Sequence, residues 1–429
     1  MSGGFLIAAP HSGSGKTVIT LGLMRALADD GVAVRPFKAG PDYIDSAFHA
    51  HTARQECFNL DPWGMRQELI QSFVTGDGVP VVEGMMGLFD GAADSSGSCA
   101  DLAALLGLPV VLVVDCSRQS HSVAALVRGF RDHRKDVHLG ALVLNRVSTQ
   151  RHERLLRNAL QVLDIPIAGV VPTLDFLQLP ERHLGLVQAR EHNRLEAFVA
   201  TAAVVMRERI DLALLRSLGR SVPRLTESAV LRLPPLGQRI AVALDAAFAF
   251  SYPHLLRGWR AMGAEIRFFS PLANEAPDAE CDAVYLPGGY PELHAGVLAT
   301  NLIFKAGMTL ARDQGAAIYG ECGGYMVLGT GLVDANGNRH EMTGLLPVET
   351  SFEKQTRHLG YRRLKGRAGT LFPGQYRAHE FHYSTLVSQG EGRALFEAED
   401  ANGAALGAHG LQIGRMAGSY MHLIDLDKS

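Results

Sequence analysis

The chain has 429 residues, of which 47% are hydrophobic and 20% charged, with a formal net charge of -3. That length exceeds a usual single core and points to two domains. The near-neutral balance, with a pI of about 6.6, excludes the basic footprint of a nucleic-acid binder, and no stretch reaches the roughly 20 apolar residues of a membrane helix.

In chain order, the first half alternates apolar runs with amphipathic segments. Strands are expected at 5–10, 32–38, 79–83, 109–115, 139–145 and 165–171, with helices at 18–28 and 151–163 between them. Strands apolar almost throughout are covered on both faces, so the alternation predicts a doubly wound α/β parallel sheet over 1–219. The stretch 220–238 holds Pro223, Pro234, Pro235 and Gly237, loses periodicity and reads as a linker. A second α/β series over 239–429 begins with strands at 240–244, 265–269, 283–286 and 316–319. From about 340 onward the chain becomes glycine-punctuated and antiparallel in character. The five cysteines, Cys57, Cys99, Cys116, Cys281 and Cys322, lack Cys-x-x-Cys spacing. This argues against a disulfide framework or structural zinc and fits a cytoplasmic protein. The first residues run straight into a strand, leaving no room for a cleavable signal peptide.

The first strand leads into Ser12-Gly13-Ser14-Gly15-Lys16-Thr17. A glycine-rich loop between strand and helix turns backbone N–H groups toward phosphate oxygens, and the helix dipole adds to the attraction. Lys16 is expected on the β- and γ-phosphates of ATP and the Thr17 hydroxyl on Mg²⁺. Pro10 stands where the usual pattern has its first glycine. Acids should gather at the same sheet edge. Asp42 and Asp45 follow the second strand, Glu83 ends the third, and Asp90 lies in the glycine-flanked loop after it. Asp45 and Glu83 are candidate metal ligands with Thr17. Asn145, closing a later strand, is a candidate for the adenine edge.

Downstream, Gly320-Glu321-Cys322-Gly323-Gly324 follows another apolar strand. Glycines flanking a nucleophile permit the tight strand-to-helix elbow that presents it, and a helix N-terminus favours the thiolate. Gly288 and Gly289 of Pro287-Gly288-Gly289-Tyr290-Pro291-Glu292 can turn N–H donors toward an oxyanion. His422 is the chosen base. His379 and His382, spaced His-x-x-His, fit a polar wall or a substrate contact better than a metal site. A phosphate loop and an elbow thiol in one chain suggest that ATP activates an acid while glutamine supplies nitrogen.

These strings, with Gly40-Pro41-Asp42-Tyr43-Ile44-Asp45, Met86-Gly87-Leu88-Phe89-Asp90-Gly91, Leu179-Pro180-Glu181-Arg182-His183-Leu184-Gly185-Leu186 and His379-Glu380-Phe381-His382-Tyr383, resemble the cobyrinate/hydrogenobyrinate a,c-diamide synthases of corrin biosynthesis. The resemblance covers essentially the whole chain. It implies an N-terminal domain of dethiobiotin-synthetase type and a C-terminal class I glutamine amidotransferase domain. It also implies Mg²⁺ and three small-molecule substrates: ATP, glutamine and a corrinoid acid. Asp42, Tyr43, Ile44 and Asp90 would bind the corrinoid carboxylates, and ammonia would pass between the domains. Amidotransferases of the triad type carry Glu two residues after the histidine, where this chain has Ile424. The resemblance accounts for that gap but leaves open whether a carbonyl or a water orients the imidazole. Two rivals stand beside this reading. One is a related amidoligase, either cobyric acid synthase or sirohydrochlorin diamide synthase. The other is a P-loop ATPase switch with a silent second domain. Cobalt-free and cobalt-bearing substrates, the order of amidation, and monomer against homodimer are not legible.

Overall fold

In a computed structural model describing residues 3–174, 177, 181–182, 185–186, 188–192, 194–219 and 230–427, the apolar runs of the first half pair into a parallel sheet. Its strands are β1 (Phe5–Ala8), β2 (Val34–Ala39), β3 (Phe58–Leu60), β4 (Val79–Glu83), β5 (Val110–Asp115), β6 (Leu139–Val147) and β7 (Ile167–Pro172). Among the described residues their order is β3-β2-β4-β1-β5-β6-β7, every neighbour parallel. Phe5, Ile7, Val81, Val111 and Val143 sit within one core on one face, and Leu6, Val82, Leu112 and Leu142 on the other face are buried too, as expected for strands covered on both sides. Strand order reverses around β1, so the crevice beyond its C-terminal end is the natural ligand position.

Helix α1 (Lys16–Asp29) leaves that crevice, α2 (Tyr43–Ala53) starts beside it, and α3 (Leu195–Arg209) packs on α1. A Cβ on Gly22 of α1 would come within 2.8 Å of the Ala202 carbonyl oxygen on α3, so glycine sets this close helix approach. Strand β3 escaped the sequence reading because three residues cannot establish a period. The helix expected at 151–163 is α-helical over Gln150–Leu160 and tightens to a 3-10 turn at Gln161–Leu163.

The second half has its own parallel sheet: β8 (Arg239–Ala243), β9 (Glu265–Phe269), β10 (Ala283–Leu286) and β11 (Ala317–Glu321), followed by the short helix α4 (Gly323–Leu328). Then come β12 (His358–Gly366), β13 (Gly374–His382), β14 (Phe396–Asp400), β15 (Ala405–His409), β16 (Leu411–Ile413), β17 (Met416–Ser419) and β18 (Met421–Leu426). The main sheet runs β9-β8-β10-β11-β17-β16, parallel up to the antiparallel β17–β16 pair, and a second, antiparallel sheet runs β15-β14-β12-β13-β18. Tyr420 is the single residue between β17 and β18. The chain there leaves one sheet for the other, carrying His422 to the end of β11.

The described residues divide into two units, one comprising 1–63 and 67–230, the other 64–66 and 231–429. Residues 220–229 of the expected linker lie outside the described residues, as do Leu179, Pro180, His183 and Leu184 of the motif at 179–186.

Candidate active sites

The phosphate loop is a folded nest. Gly13 and Gly15 have φ of 78° and 87°, left-handed values that suit glycine. Ser14 Oγ donates to the His11 carbonyl at 2.8 Å. Asn145 Nδ2 donates to the Ser14 carbonyl at 2.9 Å. Any Cβ on Gly15 would meet that Nδ2 at 2.3 Å. Asn145 thus braces the loop, and an adenine contact would have to use its remaining carboxamide oxygen. Lys16 is buried and its Nζ donates to the Met86 carbonyl at 2.7 Å. Burial lowers its pKa, with Glu83 opposing. Ser12 and Gly13 are exposed at the tip.

The expected acids converge on one lysine that the sequence reading passed over. Lys38 Nζ, buried at the end of β2, lies 2.5 Å from Asp45 Oδ2, 3.1 Å from Glu83 Oε1 and 3.9 Å from Asp42 Oδ2. Burial opposes its charge, yet Asp45 and Glu83 outweigh burial and raise its ammonium well above the usual range. Burial and then the Asp42 charge lift Asp45 to about 6, despite Lys38. Glu83 accepts from Thr17 Oγ1 at 2.7 Å and lies 2.6 Å from His49 Nε2. Burial works against its charge, but Lys38 and His49 hold the carboxyl well below the ordinary range. Asp42 caps α2, accepting from the Ile44 and Asp45 amides, both at 2.9 Å, with Tyr43 the first helical residue. Asp90 Oδ2 accepts from the Gly87 amide at 2.8 Å. The Leu88 amide bonds the Ala9 carbonyl at 2.9 Å, which ties the Asp90 loop to the start of the phosphate loop.

In the second unit Cys322 caps α4 with φ 51° and ψ -103°, a costly conformation for a residue with a Cβ. Its amide donates to the Ser419 carbonyl at 2.8 Å, so β17 holds the elbow. The turn is tight on both sides. A Cβ on Gly320 would meet the Gly324 carbonyl oxygen at 2.6 Å, and one on Gly324 would meet the Leu286 carbonyl oxygen at 1.9 Å. Gly288 faces the pair directly: a Cβ there would lie 2.6 Å from His422 Cε1 and 3.3 Å from Cys322 Cβ. The Gly289 nitrogen lies 3.1 Å from the Cβ position of Gly323, so the two loops approach closely there.

His422 is buried and hydrogen-bonds Cys322 through its ring. Its Nδ1 lies 3.2 Å from Glu321 Oε1. Burial disfavours the imidazolium, but Cys322 and Glu321 outweigh it and hold His422 up at about 10. Glu321 also accepts from the Tyr285 hydroxyl at 3.0 Å and the Leu423 amide at 3.1 Å.

Residues 5–187 match the CobQ/CobB/MinD/ParA nucleotide binding domain, and residues 239–429 match the CobB/CobQ-like glutamine amidotransferase domain. A Sinorhizobium protein named hydrogenobyrinate a,c-diamide synthase is 57% identical over 428 residues, which cover 99% of each chain. Proteins of the same name from Brucella anthropi and Agrobacterium fabrum are 56% and 46% identical, each match covering 98% of both chains. The chain belongs to the hydrogenobyrinate a,c-diamide synthase family. It is a glutamine-dependent amidoligase, built from a nucleotide-binding domain and a glutamine amidotransferase domain.

Within this synthase, His379 pairs opposite His422 across β13 and β18. Burial, reinforced by the His422 charge, pushes His379 down to about 3, so it faces His422 as a neutral ring. His382 belongs instead to a stack, 3.8 Å between centroids on Tyr420 and 4.6 Å on His358. Ligand atoms of His358, Glu380 and His382 lie within 4.8 Å of one another. Arg362 Nη2, however, sits 2.7 Å from Glu380 Oε2 and already supplies the positive charge there. Three residues escaped the sequence reading: Lys38, His49 and Glu321. Glu321 left a faint signal, a lone charge at the end of an otherwise apolar strand, whereas Lys38 shares its strand with Arg35.

Proposed function

We propose that this enzyme amidates the a and c side-chain carboxylates of hydrogenobyrinic acid, with ATP activating each acid and glutamine supplying each nitrogen. The observation that carries the reading is the formed elbow: Cys322 at a left-handed turn, hydrogen-bonded to a buried His422 beside Gly288. An amidotransferase domain gone silent in a nucleotide switch would have no reason to keep that geometry. The relatives' names favour the cobalt-free corrinoid over cobyrinic acid, and formation of the a,c-diamide over the amidations of cobyric acid synthase or sirohydrochlorin diamide synthase.

The Cys322 sulfur attacks the glutamine amide carbon. Amides near Gly288, Gly289 and Gly323 receive the oxyanion. His422 gives its proton to the departing nitrogen, so ammonia leaves and a thioester remains. Water, deprotonated by His422, then releases glutamate. In the nucleotide-binding domain the Ser12–Thr17 loop and Lys16 hold the triphosphate. A corrinoid carboxylate, placed by Asp42, Tyr43, Ile44 and Asp90, attacks the γ-phosphorus and ADP departs. Ammonia adds to the acyl phosphate carbon, phosphate leaves, and the amide forms.

The hydroxyl of Thr17 and the carboxylates of Asp45 and Glu83 suit Mg²⁺: all are hard oxygen donors, the two acids sharing Lys38 and Glu83 also meeting His49. When bound, the ion would neutralise charge on the β- and γ-phosphates. The setting is cytoplasmic, consistent with five free cysteines. Partners are these small molecules, and a second copy of the chain is compatible.

Cys322→Ala tests the division of labour. Glutamine-dependent amidation should vanish while ammonium-dependent amidation persists, and loss of both would contradict it.

A further inference from the structure

We propose that Glu321, the residue immediately before the nucleophile, is the positioning residue for His422, standing in for the glutamate absent at position 424. The inference rests on the reading of Cys322 and His422 as the glutamine-hydrolysing pair and deepens it. A catalytic imidazole with one nitrogen toward its nucleophile needs an acceptor on the other, to fix both tautomer and ring plane. In triad enzymes the acceptor is a separate residue. Here the left-handed turn at Cys322 separates the directions of two adjacent side chains, so the strand-end acid and the elbow thiol reach the same ring.

The supporting contacts are specific. Glu321 is 1% exposed, at the end of β11, and its Oε1 lies 3.2 Å from His422 Nδ1. A carboxylate this buried is costly unless its lone pairs are filled. They are filled by Tyr285 from β10 and by the amide of Leu423, the neighbour of His422 itself. The Tyr319 hydroxyl donates instead to the Met421 carbonyl at 3.4 Å. Burial and then the Glu321 charge raise the Tyr285 phenol well above its usual range, which keeps it a donor. Among the described residues, the titratable groups facing His422 are Cys322 and Glu321 from the elbow and His379 from β13. His379 stays neutral, so Glu321 supplies the negative charge that remains once the sulfur is acylated. It then supports the imidazolium through the tetrahedral steps. Ile424 cannot serve: its side chain is aliphatic, and its carbonyl accepts from His254 Nε2 at 2.8 Å.

The test compares Glu321→Gln and Glu321→Asp in the full-length enzyme, measuring glutamine hydrolysis across pH. Ammonium-dependent amidation and the thermal transition report folding. Glu321→Gln should lower kcat about 10²-fold or more with KM nearly unchanged, because an amide can present the wrong partner to Nδ1. It should also move the alkaline limb of kcat/KM to lower pH by about one unit or more, since a negative neighbour that raised His422 is gone. Glu321→Asp should recover part of both. A role confined to packing would lower stability without moving the limb, and wild-type kcat with an unmoved limb in Glu321→Gln overturns the proposal. Should Glu321→Gln fail to fold, Tyr285→Phe decides: it frees one anchor of the carboxylate and should lower kcat several-fold at unchanged KM, and no change would overturn the idea. Glutamine hydrolysis surviving in Cys322→Ala would instead remove the underlying reading.

Discussion

Gly288→Ala adds a single methyl group, and the geometry places it against the reacting pair. The new Cβ would lie 2.6 Å from His422 Cε1 and 3.3 Å from Cys322 Cβ, whereas carbon atoms rest about 3.5–4.0 Å apart. His422 would have to retreat by about 1 Å. It cannot do so freely, because Glu321 holds its other edge at 3.2 Å. A displacement of about 1 Å at a catalytic group costs on the order of 10²-fold in rate, and overpacking a buried site costs about 1–3 kcal/mol. Gly288→Ala should therefore reduce glutamine kcat about 10²-fold, lower the thermal transition slightly and spare ammonium-dependent amidation. The neighbouring substitution is the control. A Cβ on Gly289 would meet the backbone carbonyl oxygen of Ala247 at 2.1 Å, so Gly289→Ala should fail through folding. Steady-state glutamine hydrolysis beside a melting curve separates the two, and Gly288→Ala within about threefold of wild type would refute the reasoning.

Lys16→Ala should abolish amidation from either nitrogen source, by at least about 10²-fold, while glutamine hydrolysis continues; product formation beside glutamate release reads this out. Chelating Mg²⁺ should give the same split, and re-adding the ion should reverse it. Lys38→Met leaves Asp45 and Glu83 without their buried cation and should cost about 3–5 kcal/mol, measured by denaturant unfolding, with part recovered in Mg²⁺. The pH dependence of stability has a defined sign. His422 stands above its ordinary 6.5, at about 10, so its contribution is full below about 6.5 and is lost as pH rises through about 10. The melting temperature should therefore fall over that window, and fall less in Cys322→Ala, where one source of the upward shift is gone.

The sequence carried what is local. The phosphate loop and the elbow are continuous strings whose chemistry follows from glycine placement next to a strand and a helix, and both form as expected. The acids Asp42, Asp45 and Glu83 were legible because strand ends in a parallel sheet share one edge. Lys38 was not, since a strand's lysine announces neither its burial nor its partners. Glu321 was hidden for a different reason. It sits inside the recognised motif, but only the left-handed backbone of Cys322 and the return of the chain at Tyr420 reveal that it reaches a histidine about 100 residues later. The gap at Ile424 posed the question of what orients the imidazole, and the Glu321 carboxylate lies 3.2 Å from its Nδ1. Asn145 illustrates the opposite case, a strand-end polar residue whose amide is engaged by the loop it braces.

Nitrogen transfer itself is the most direct measurement. Purified enzyme supplied with ATP, Mg²⁺, hydrogenobyrinic acid and amide-¹⁵N glutamine should yield a diamide carrying two ¹⁵N atoms by mass spectrometry, even with a modest excess of unlabelled ammonium present. A product holding only unlabelled nitrogen, or no carboxamide from either nitrogen source, would contradict the account.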